Sequence, residues 1–545
     1  MKKTLALVLA VLMVLALAAC AKTPASSTAP ASSAAPAESK DTESKEETKI
    51  TYPLKDGGEL SLAWVENAAV TAGGNKWQDT PFIKGLEENT GIKLKIVHPQ
   101  DFSVYFASQD YADMIYYLWD TYVGGAAKAI SDNIIIPIEK YLEKDAPDYK
   151  AFIEGNKDWN KMATTSDGHK YAFNFVRTEE VLRINAGLII RDDWMKDLGL
   201  ELPETPEELK NVLIAFRDKK GATAPISLMY GTMQQAFAQW GTVTGAFGLP
   251  SYFGYVENGT VKYGAYEDNY KNYLAYMNDL YKEGLIDKNF MTLDVTTVTA
   301  NLINGVSGLV AGAGGGGLGN WMTAAEKVDP NFSLTGVSPL VAKKGDRAIG
   351  GHYDNPIVNG TGVAISSSCK NVELACNFLN YGYTDAGHDY WNFGTEGVSY
   401  TIVKDNPYYT HAFTDKVMKA EGLNVQQGMA QYCRSWDGGP FGQDPDYIYQ
   451  FYARQQQKDA LNNWVKTDVS KYVMPSVTIE SDKLDEYSQT RSEVNTYISE
   501  QSAKFITGEV SLDEFDAYKK TLKDMGVEKL IEILQSAYDE YNSRK

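Results

Sequence analysis

The sequence predicts an α/β fold in which the strands of a parallel sheet alternate with helices. ELSLAWV (59–65) alternates apolar and polar residues like a strand, and IKLKIVHP (92–99) repeats that pattern after a helix that closes at Asn89-Thr90-Gly91. FASQDYADMIYYLW (106–119) then gives a short helix, a turn and a third strand. Parallel neighbours need a crossover connection between consecutive strands, and this βαβαβ order supplies it.

Later segments carry clear helix signals. In PETPEEL (203–209), Thr205 can cap a helix, Pro206 suits the first helical position, and Glu208 can return the capping-box bond. Near the carboxyl end, VEKLIEILQSAYDEY (527–541) has the pattern of an amphipathic helix that packs on the body. These helices extend the α/β core.

A tyrosine-rich stripe marks one further helix, which Gly284 ends. Its members recur at helical spacing on one face: Tyr270, Leu274, Met277 and Tyr281. Such a stripe is either a ligand surface or a core face, and we favour the core.

The chain begins with Lys2 and Lys3, followed by an apolar stretch from Leu5 to Ala19. At about 15 residues this stretch is too short to span a bilayer core, which needs roughly 20. It is typical of a signal peptide. The ending Leu17-Ala18-Ala19-Cys20 resembles the lipobox of bacterial lipoprotein precursors, which implies lipidation of Cys20 and cleavage before it. The alternative is an ordinary secretory signal with a chance cysteine.

The segment from Ala21 to about Lys49 contains almost no large apolar residue, so it cannot bury enough surface to fold. A coil of about 30 residues has an r.m.s. reach of roughly 30 Å. We therefore assign residues 1–19 to a lipoprotein signal peptide and residues 20–50 to the lipidated cysteine and a disordered leash.

The net charge argues against a nucleic-acid partner. The formal charge is −19, and removal of the two signal lysines gives −19 − 2 = −21. Such a field repels phosphate backbones, so we expect no nucleic-acid partner.

The glycine run in GLVAGAGGGGLGNW (308–321) allows close backbone approach and positive φ but does not match a phosphate loop.

The three cysteines of the body are Cys369, Cys376 and Cys433. Cys369 and Cys376 flank the start of a helical pattern, and seven residues along a helix cover about 10 Å, which is too far for a disulfide. We expect buried or idle thiols.

Five segments together resemble the family 1 extracellular solute-binding proteins, the receptor components of ABC sugar importers, which are distantly similar to maltose-binding protein. They keep the order of that family: ASQDYADMIY (107–116), LIIRDDWMKDLGLELPETPEEL (188–209), YLAYMNDLYKEGLIDKNF (273–290), YWNFGTEGVSYTI (390–402) and the helical segment 504–542. The chain departs from the family at Gln109 and Ala112, where glycine and proline are usual. It also departs at RDKKGATAPI (217–226), whose one carboxylate, Asp218, cannot supply the six to eight oxygens that calcium needs. No metal and no cofactor are expected.

The resemblance implies a two-lobed, periplasmic-binding-protein-like α/β fold with hinge crossovers and extra C-terminal helices. Crossings are expected near 173–183, 337–353 and 391–397. The corresponding assignment alternates between the lobes: 51–175 in lobe 1, 176–336 in lobe 2, 337–390 in lobe 1, and 391–545 in lobe 2 with the C-terminal helices.

A ligand is then expected between the lobes. Aromatic faces suit the C–H surfaces of sugars, while Asp, Asn, Arg and backbone groups bind hydroxyls. The chain has 10 Trp and 35 Tyr, and several lie at strand ends or in glycine-rich loops. The candidate ligand residues are Trp64, Asn67, Trp119, Asp120, Trp240, Trp321, Tyr353, Asp354, Arg434, Trp436 and Phe441.

Each candidate has a structural alternative. Trp64 and Trp119 can cap the sheet as core, and Arg434 can pair with Asp437 or Asp444. An enzyme is the less favoured reading: Glu396 and Asp354 form an imaginable glycosidase pair, but the chain has no Gly-x-Ser-x-Gly elbow and no HExxH motif.

The sequence therefore predicts a non-enzymatic, extracytoplasmic receptor, lipid-anchored to the cell membrane and monomeric. It captures a carbohydrate, favoured as an oligosaccharide, and delivers it to the permease subunits of an ABC transporter. A peptide-binding receptor, a surface carbohydrate-active enzyme and a sensor for a membrane kinase remain alternatives.

Overall fold

A computed structural model describes residues 49–480 and 482–544 of the chain. The predicted signal peptide, Cys20 and almost all of the predicted leash lie outside these residues. Within the described part, no helix combines the length and the apolar character needed to cross a membrane.

Fourteen strands are found in the described residues. They are β1 (Gly58–Ala63), β2 (Ile92–Val97), β3 (Met114–Leu118), β4 (Phe173–Asn174), β5 (Val176–Arg177), β6 (Ala186–Arg191), β7 (Gly254–Glu257), β8 (Thr260–Tyr263), β9 (Leu309–Ala313), β10 (Leu334–Val337), β11 (Thr361–Ile365), β12 (Tyr400–Ile402), β13 (His411–Phe413) and β14 (Gly442–Gln443).

The α-helices of the same residues surround these strands. They are α1 (Ala68–Thr71), α2 (Pro81–Thr90), α3 (Phe102–Ser108), α4 (Gly125–Ser131), α5 (Glu139–Asp145), α6 (Pro147–Glu154), α7 (Lys157–Met162), α8 (Glu180–Arg183), α9 (Asp192–Leu198), α10 (Pro206–Lys220), α11 (Tyr230–Met233), α12 (Tyr270–Lys282), α13 (Val295–Ile303), α14 (Asn320–Ala325), α15 (Val372–Asn380), α16 (Asp385–Phe393), α17 (Asp415–Met418), α18 (Val425–Tyr432), α19 (Ile448–Phe451), α20 (Gln455–Trp464), α21 (Leu484–Thr507), α22 (Phe515–Asp524) and α23 (Val527–Ser543).

Lobe 1 is built on a five-stranded sheet of order β2-β1-β3-β11-β4. The strands β2, β1 and β3 are parallel, as the βαβαβ pattern predicts, and Gly58 aligns with Ile92 at the start of the β1–β2 register. The strand β11 runs antiparallel to both β3 and β4. The carboxyl ends of β1 and β3 therefore open on the same edge, where ligands bind in open α/β sheets.

Lobe 2 contains a smaller sheet of order β10-β6-β9, in which both pairings are antiparallel. Its core includes the predicted tyrosine stripe: Tyr270, Leu274 and Met277 are buried, and Tyr281 packs against them. The preference for a core face over a ligand surface is thus confirmed. The predicted capping box is also present at α10, where Thr205 and Glu208 each bond the other's backbone.

The chain passes between the two sheets three times. The first passage joins β4 to β6, and the second joins β10 to β11. Residues 391–441 stay with lobe 1, because Trp391 and Phe441 pack in the same core as β1. The third passage therefore follows β14 and reaches α19 at Ile448, later in the chain than the expected 391–397.

The C-terminal helices pack on lobe 2 and also reach lobe 1. In α12, the Asn278 side chain donates to the carbonyls of Phe505 and Ile506 at the end of α21. Near the end of α23, the Asn542 carbonyl accepts a 3.0 Å hydrogen bond from Lys161. Arg544 donates to the Thr164 carbonyl at 2.8 Å. The C-terminal segment therefore contacts both lobes.

Candidate functional site

A group of polar and aromatic side chains lies at the carboxyl ends of β1 and β3. We call it the lobe 1 cluster: Asn67, Tyr116, Arg434, Trp436 and Asp437. Asn67 caps α1, and its Nδ2 donates to Asp437 Oδ1 at 3.1 Å. The Tyr116 hydroxyl donates to the Asp437 carbonyl at 3.0 Å. The two strand ends thus hold the loop that carries Trp436 and Asp437.

Four polar atoms of this cluster are buried without a hydrogen-bond partner among the described residues: Trp436 Nε1, Asp437 Oδ2, and Nε and Nη2 of Arg434. Trp436 is only partly buried as a whole. Burial raises the pKa of the Asp437 carboxyl, while the Arg434 charge and the Asn67 hydrogen bond oppose that rise. Leaving a buried polar atom unsatisfied costs about 1–3 kcal/mol, so the donor Trp436 Nε1 and the acceptor Asp437 Oδ2, on consecutive residues, are two positions at which a ligand hydroxyl would relieve that cost.

Arg434 lies behind this pair and holds the loop. Its guanidinium sits 4.8 Å from the Trp77 ring and 4.3 Å from the Phe82 ring, and Nη1 donates to the carbonyls of Ala430 and Cys433. Burial lowers its pKa to about 10, although Asp437 opposes the fall. Since the side chain is fully buried, it stabilises the loop from within and lies away from any open surface.

Three further predicted ligand residues are core residues in this structure. Trp64, Trp119 and Phe441 are all buried, because each ring packs against other rings beneath the sheet ends. Trp64 lies 4.4 Å from Tyr116, Trp119 lies 5.3 Å from Tyr117, and Phe441 stacks on Trp391 at 5.3 Å. The core alternative therefore describes them better than direct ligand contact. Asp120 is exposed beside a small cavity shared with Ser476 and Arg544.

We call the ion pair of Arg177 and Asp354, which joins two of the passages between the lobes, the hinge floor. Arg177 lies on β5 within the first passage and pairs with Asp354 of the second. The passages are also joined through backbone groups, since Arg177 N–H donates to the Pro356 carbonyl and Asp354 N–H donates to the Arg183 carbonyl. Next to them, β5 pairs with β14, which leads directly into the third passage. All three passages thus meet at Arg177.

Phenol groups from both lobes lie near this ion pair. Burial raises the pKa of Tyr116 in lobe 1 and of Tyr447 and Tyr452 beyond the third passage, and in each case the Arg177 charge opposes the rise. Tyr452 packs on the glycine run: a Cβ at Gly314 would lie 2.7 Å from its ring. The run gives the predicted close backbone approach, but 314–319 forms a π-helical turn in which no glycine has positive φ.

A cavity of about 530 Å³ adjoins the hinge and is called here the hinge cavity. Three of the predicted ligand residues line it, Trp240, Tyr353 and Asp354. Trp240 meets His352 edge-on, with ring centroids 4.9 Å apart, and the Tyr353 hydroxyl accepts a 2.6 Å hydrogen bond from Arg183. Its volume lies in the range of about 300–1,000 Å³ that small-molecule sites occupy.

Trp321 stays apart from both regions. It lies on α14, packs against Gly312 and Gly317, and its Nε1 donates to Thr299 Oγ1 at 3.1 Å. The structure therefore divides the predicted residues between the lobe 1 cluster, the hinge cavity and the lobe 2 surface. Sequence reasoning missed Arg177, Tyr116 and His352. Arg177 and His352 had a signal, because they lie inside the predicted first and second crossings.

Within the described residues, no group of three or more histidine, cysteine or acidic side chains is placed to hold a metal ion. In the segment 217–226, Asp218 is engaged by Arg217 at 2.7 Å. The thiols of Cys369, Cys376 and Cys433 are free, and burial raises the pKa of each. Asp354, one member of the imagined glycosidase pair, is held by Arg177 at the hinge.

Comparison with known proteins identifies the family. The family model described as bacterial extracellular solute-binding protein matches residues 70–389. The chain is 24% identical over 547 residues to the fructooligosaccharide ABC transporter substrate-binding protein FusA of Streptococcus pneumoniae, covering 93% of this chain and 95% of FusA. It is also 24% identical over 475 residues to lipoprotein LipO of Bacillus subtilis, covering 84% of this chain and 89% of LipO.

Solved structures agree on the fold. An extracellular solute-binding protein from Bifidobacterium longum subsp. infantis superposes with a TM-score of 0.68 at 21% identity, covering 90% of this chain and 99% of that one. FusA in complex with kestose gives a TM-score of 0.63 at 21% identity, covering 89% and 100%. Both share the two-lobed architecture described above. The chain belongs to the bacterial extracellular solute-binding protein family.

Proposed function

We propose that this protein is a lipid-anchored receptor that captures a carbohydrate, and specifically an oligosaccharide, between its lobes and delivers it to the permease of an ABC transporter. The observation that carries the proposal is the unsatisfied pair Trp436 Nε1 and Asp437 Oδ2 beside a partly exposed indole. A flat ring with a neighbouring donor and acceptor suits a sugar, which offers apolar C–H faces and a rim of hydroxyls.

The relatives support the same class of ligand. FusA is named for fructooligosaccharides, and one of the matching structures holds it with kestose. This chain covers 95% of FusA, so the comparison draws on nearly the full length of that relative.

The hinge supports the proposed capture by lobe closure. A ligand held by both lobes is bound fully only when they close, and a shift from 1:99 to 99:1 needs about 5.5 kcal/mol of differential binding. Stacking on Trp436 and several hydrogen bonds supply an energy of this size. The closed surface is then what the permease recognises.

Anchoring through Cys20 is the second half of the proposal. The lipobox-like ending at Cys20 and the name of the relative LipO support it. Two or more acyl chains hold a protein stably, at about 0.8 kcal/mol per buried CH₂. In cells grown with labelled palmitate, the wild type is expected to carry the label in the membrane fraction. Cys20→Ser should be unlabelled and released, and labelled Cys20→Ser would contradict the anchor.

The binding proposal is tested on the purified body with a panel of oligosaccharides, peptides and divalent cations. We expect at least one oligosaccharide to raise the melting temperature and to bind in calorimetry without being cleaved. Stabilisation by a peptide alone would favour a peptide receptor. Breakdown of the saccharide, followed by chromatography, would indicate an enzyme.

A further inference from the structure

The C-terminal segment contributes side chains to the hinge cavity. Tyr472, together with Tyr487 and Arg491 on α21, lines it along with Trp240. We infer that this cavity is a second subsite of the ligand site and receives the far end of an oligosaccharide whose near end lies at Trp436 and Asp437. This inference rests on the proposed function and adds to it a role for the C-terminal helices and a preference for chain length.

The lining of the cavity has the chemistry of a sugar subsite. Aromatic rings, including Trp240, Tyr255 and Tyr472, face a space that also has the amide side chains of Gln235 and Gln239 on its wall. His352 Nδ1 is buried and has no hydrogen-bond partner among the described residues. An unsatisfied imidazole nitrogen beside the edge-on Trp240 ring leaves a polar position for a ligand hydroxyl.

The charge state of His352 fits an uncharged partner. Burial lowers the pKa of its imidazole, against the opposing effect of Asp354, whose Oδ1 lies 3.8 Å from Nε2. Neutral imidazole offers one donor and one acceptor, as a sugar hydroxyl does.

The proposed path from this cavity to the lobe 1 cluster follows the hinge floor. Asp354 lines the cavity and at the same time pairs with Arg177, whose charge acts on Tyr116 of the cluster. On the other side, the Asn355 side chain donates to the Met474 carbonyl and so ties the C-terminal segment to the second passage. A saccharide lying along this floor runs from one aromatic group to the other.

Two subsites at the ends of one floor make affinity depend on ligand length. A short saccharide occupies the lobe 1 cluster alone and does not reach the hinge cavity. A longer one also reaches Trp240 and Tyr472 and gains the second set of contacts. Affinity should therefore rise with chain length until the cavity is filled and stay constant beyond that point.

The test is a calorimetric titration of the intact body with a ladder from disaccharide to hexasaccharide of the sugar that the wild type binds. Trp240→Ala and Tyr472→Ala should lose about tenfold in affinity for the long members and leave the disaccharide unchanged. Trp436→Ala should lose affinity at every length. Tyr409→Ala, which removes a partly exposed tyrosine outside both regions, is the matched control and should bind like the wild type.

Three results would overturn the subsite. Equal loss at every length in Trp240→Ala would make the cavity the primary site, and no loss at any length in both cavity variants would remove it from the ligand. A stoichiometry of two ligands per chain would make it an independent site. Failure of the wild type to bind any saccharide is distinguishable from these, since it contradicts the proposed function and the subsite with it.

Discussion

The Asp354 carboxylate and the Arg177 guanidinium form an ion pair between the second and first passages of the hinge. Their side chains are 29% and 25% exposed, so the pair is largely shielded from water. It joins two of the three segments that connect the lobes, so the proposed lobe closure would have to accommodate it. The pair is therefore placed to affect both stability and closure.

Removing one partner of this ion pair should weaken the protein and its ligand binding together. For Arg177→Ala we expect a loss of about 1 kcal/mol in the free energy of unfolding, because Asp354 is left without its cation. Urea denaturation measures that loss, and calorimetry should show weaker binding. Arg183→Ala, which removes a neighbouring arginine bonded to Tyr353, is the comparison. Binding and stability unchanged in Arg177→Ala would remove the pair from the hinge mechanism.

Trp436 separates stacking from hydrogen bonding. In Trp436→Ala both the ring and Nε1 are lost, and affinity for the bound saccharide should fall by about tenfold or more. Trp436→Phe keeps a ring but lacks the donor, so it should retain part of that affinity. Isothermal titration of the two variants checks this order. Identical affinities in the two variants and the wild type would place the ligand elsewhere.

Two neighbouring glycines give a matched test of packing beneath lobe 2. A Cβ at Gly314 would lie 2.7 Å from the Tyr452 ring, whereas one at Gly316 would meet nothing within 4 Å. Gly314→Ala should therefore destabilise the fold by roughly 1–3 kcal/mol, as overpacking does. Gly316→Ala should stay within about 0.5 kcal/mol of the wild type. Thermal unfolding measures both, and equal melting temperatures would contradict the close approach.

A histidine near the third passage should make stability depend on pH. His411 Nδ1 lies 3.2 Å from Asp446 Oδ2, and this hydrogen bond raises the pKa of the imidazole. A raised folded pKa means that the contribution of His411 is complete below its ordinary value of about 6.5 and is lost as pH rises through the folded value. Melting temperatures of His411→Gln and the wild type should converge as the pH is raised above that range.

The Asp446 carboxylate, the partner of His411, should give the opposite dependence of stability on pH. Although burial raises it, the pKa of Asp446 is lowered on balance by hydrogen bonds from His411 and Thr410. Its contribution is present above the ordinary value of about 3.9 and is lost as pH falls through the lowered value. Asp446→Asn should remove the pH dependence of stability that comes from His411 as well as the one that comes from Asp446. A difference between His411→Gln and wild type that grows with rising pH would contradict the assignment.

Local sequence patterns predicted local structure well. The parallel order of β1 to β3 and the capping box at α10 depend on residues close in the chain, and both are present. The two-lobed fold came from five segments in family order, and the family match supports it.

Long-range partners were not predictable in the same way. Arg434 was a candidate ligand residue, yet Trp77 and Phe82 enclose it from hundreds of residues earlier in the chain. The importance of Arg177 likewise depends on Asp354, which comes from another passage. The third passage lies later than expected because Trp391 and Phe441 belong to the lobe 1 core.

Two hydrogen bonds join the end of α23 to lobe 1. Lys161 of lobe 1 donates to the Asn542 carbonyl, and Arg544 donates to the Thr164 carbonyl of lobe 1. We expect these two bonds, together with the three passages, to restrict the relative rotation of the lobes before a ligand binds. Less rotational entropy would then be lost on capture. Shortening α23 should consequently widen the range of unliganded conformations, a change that small-angle scattering would register as a larger radius of gyration.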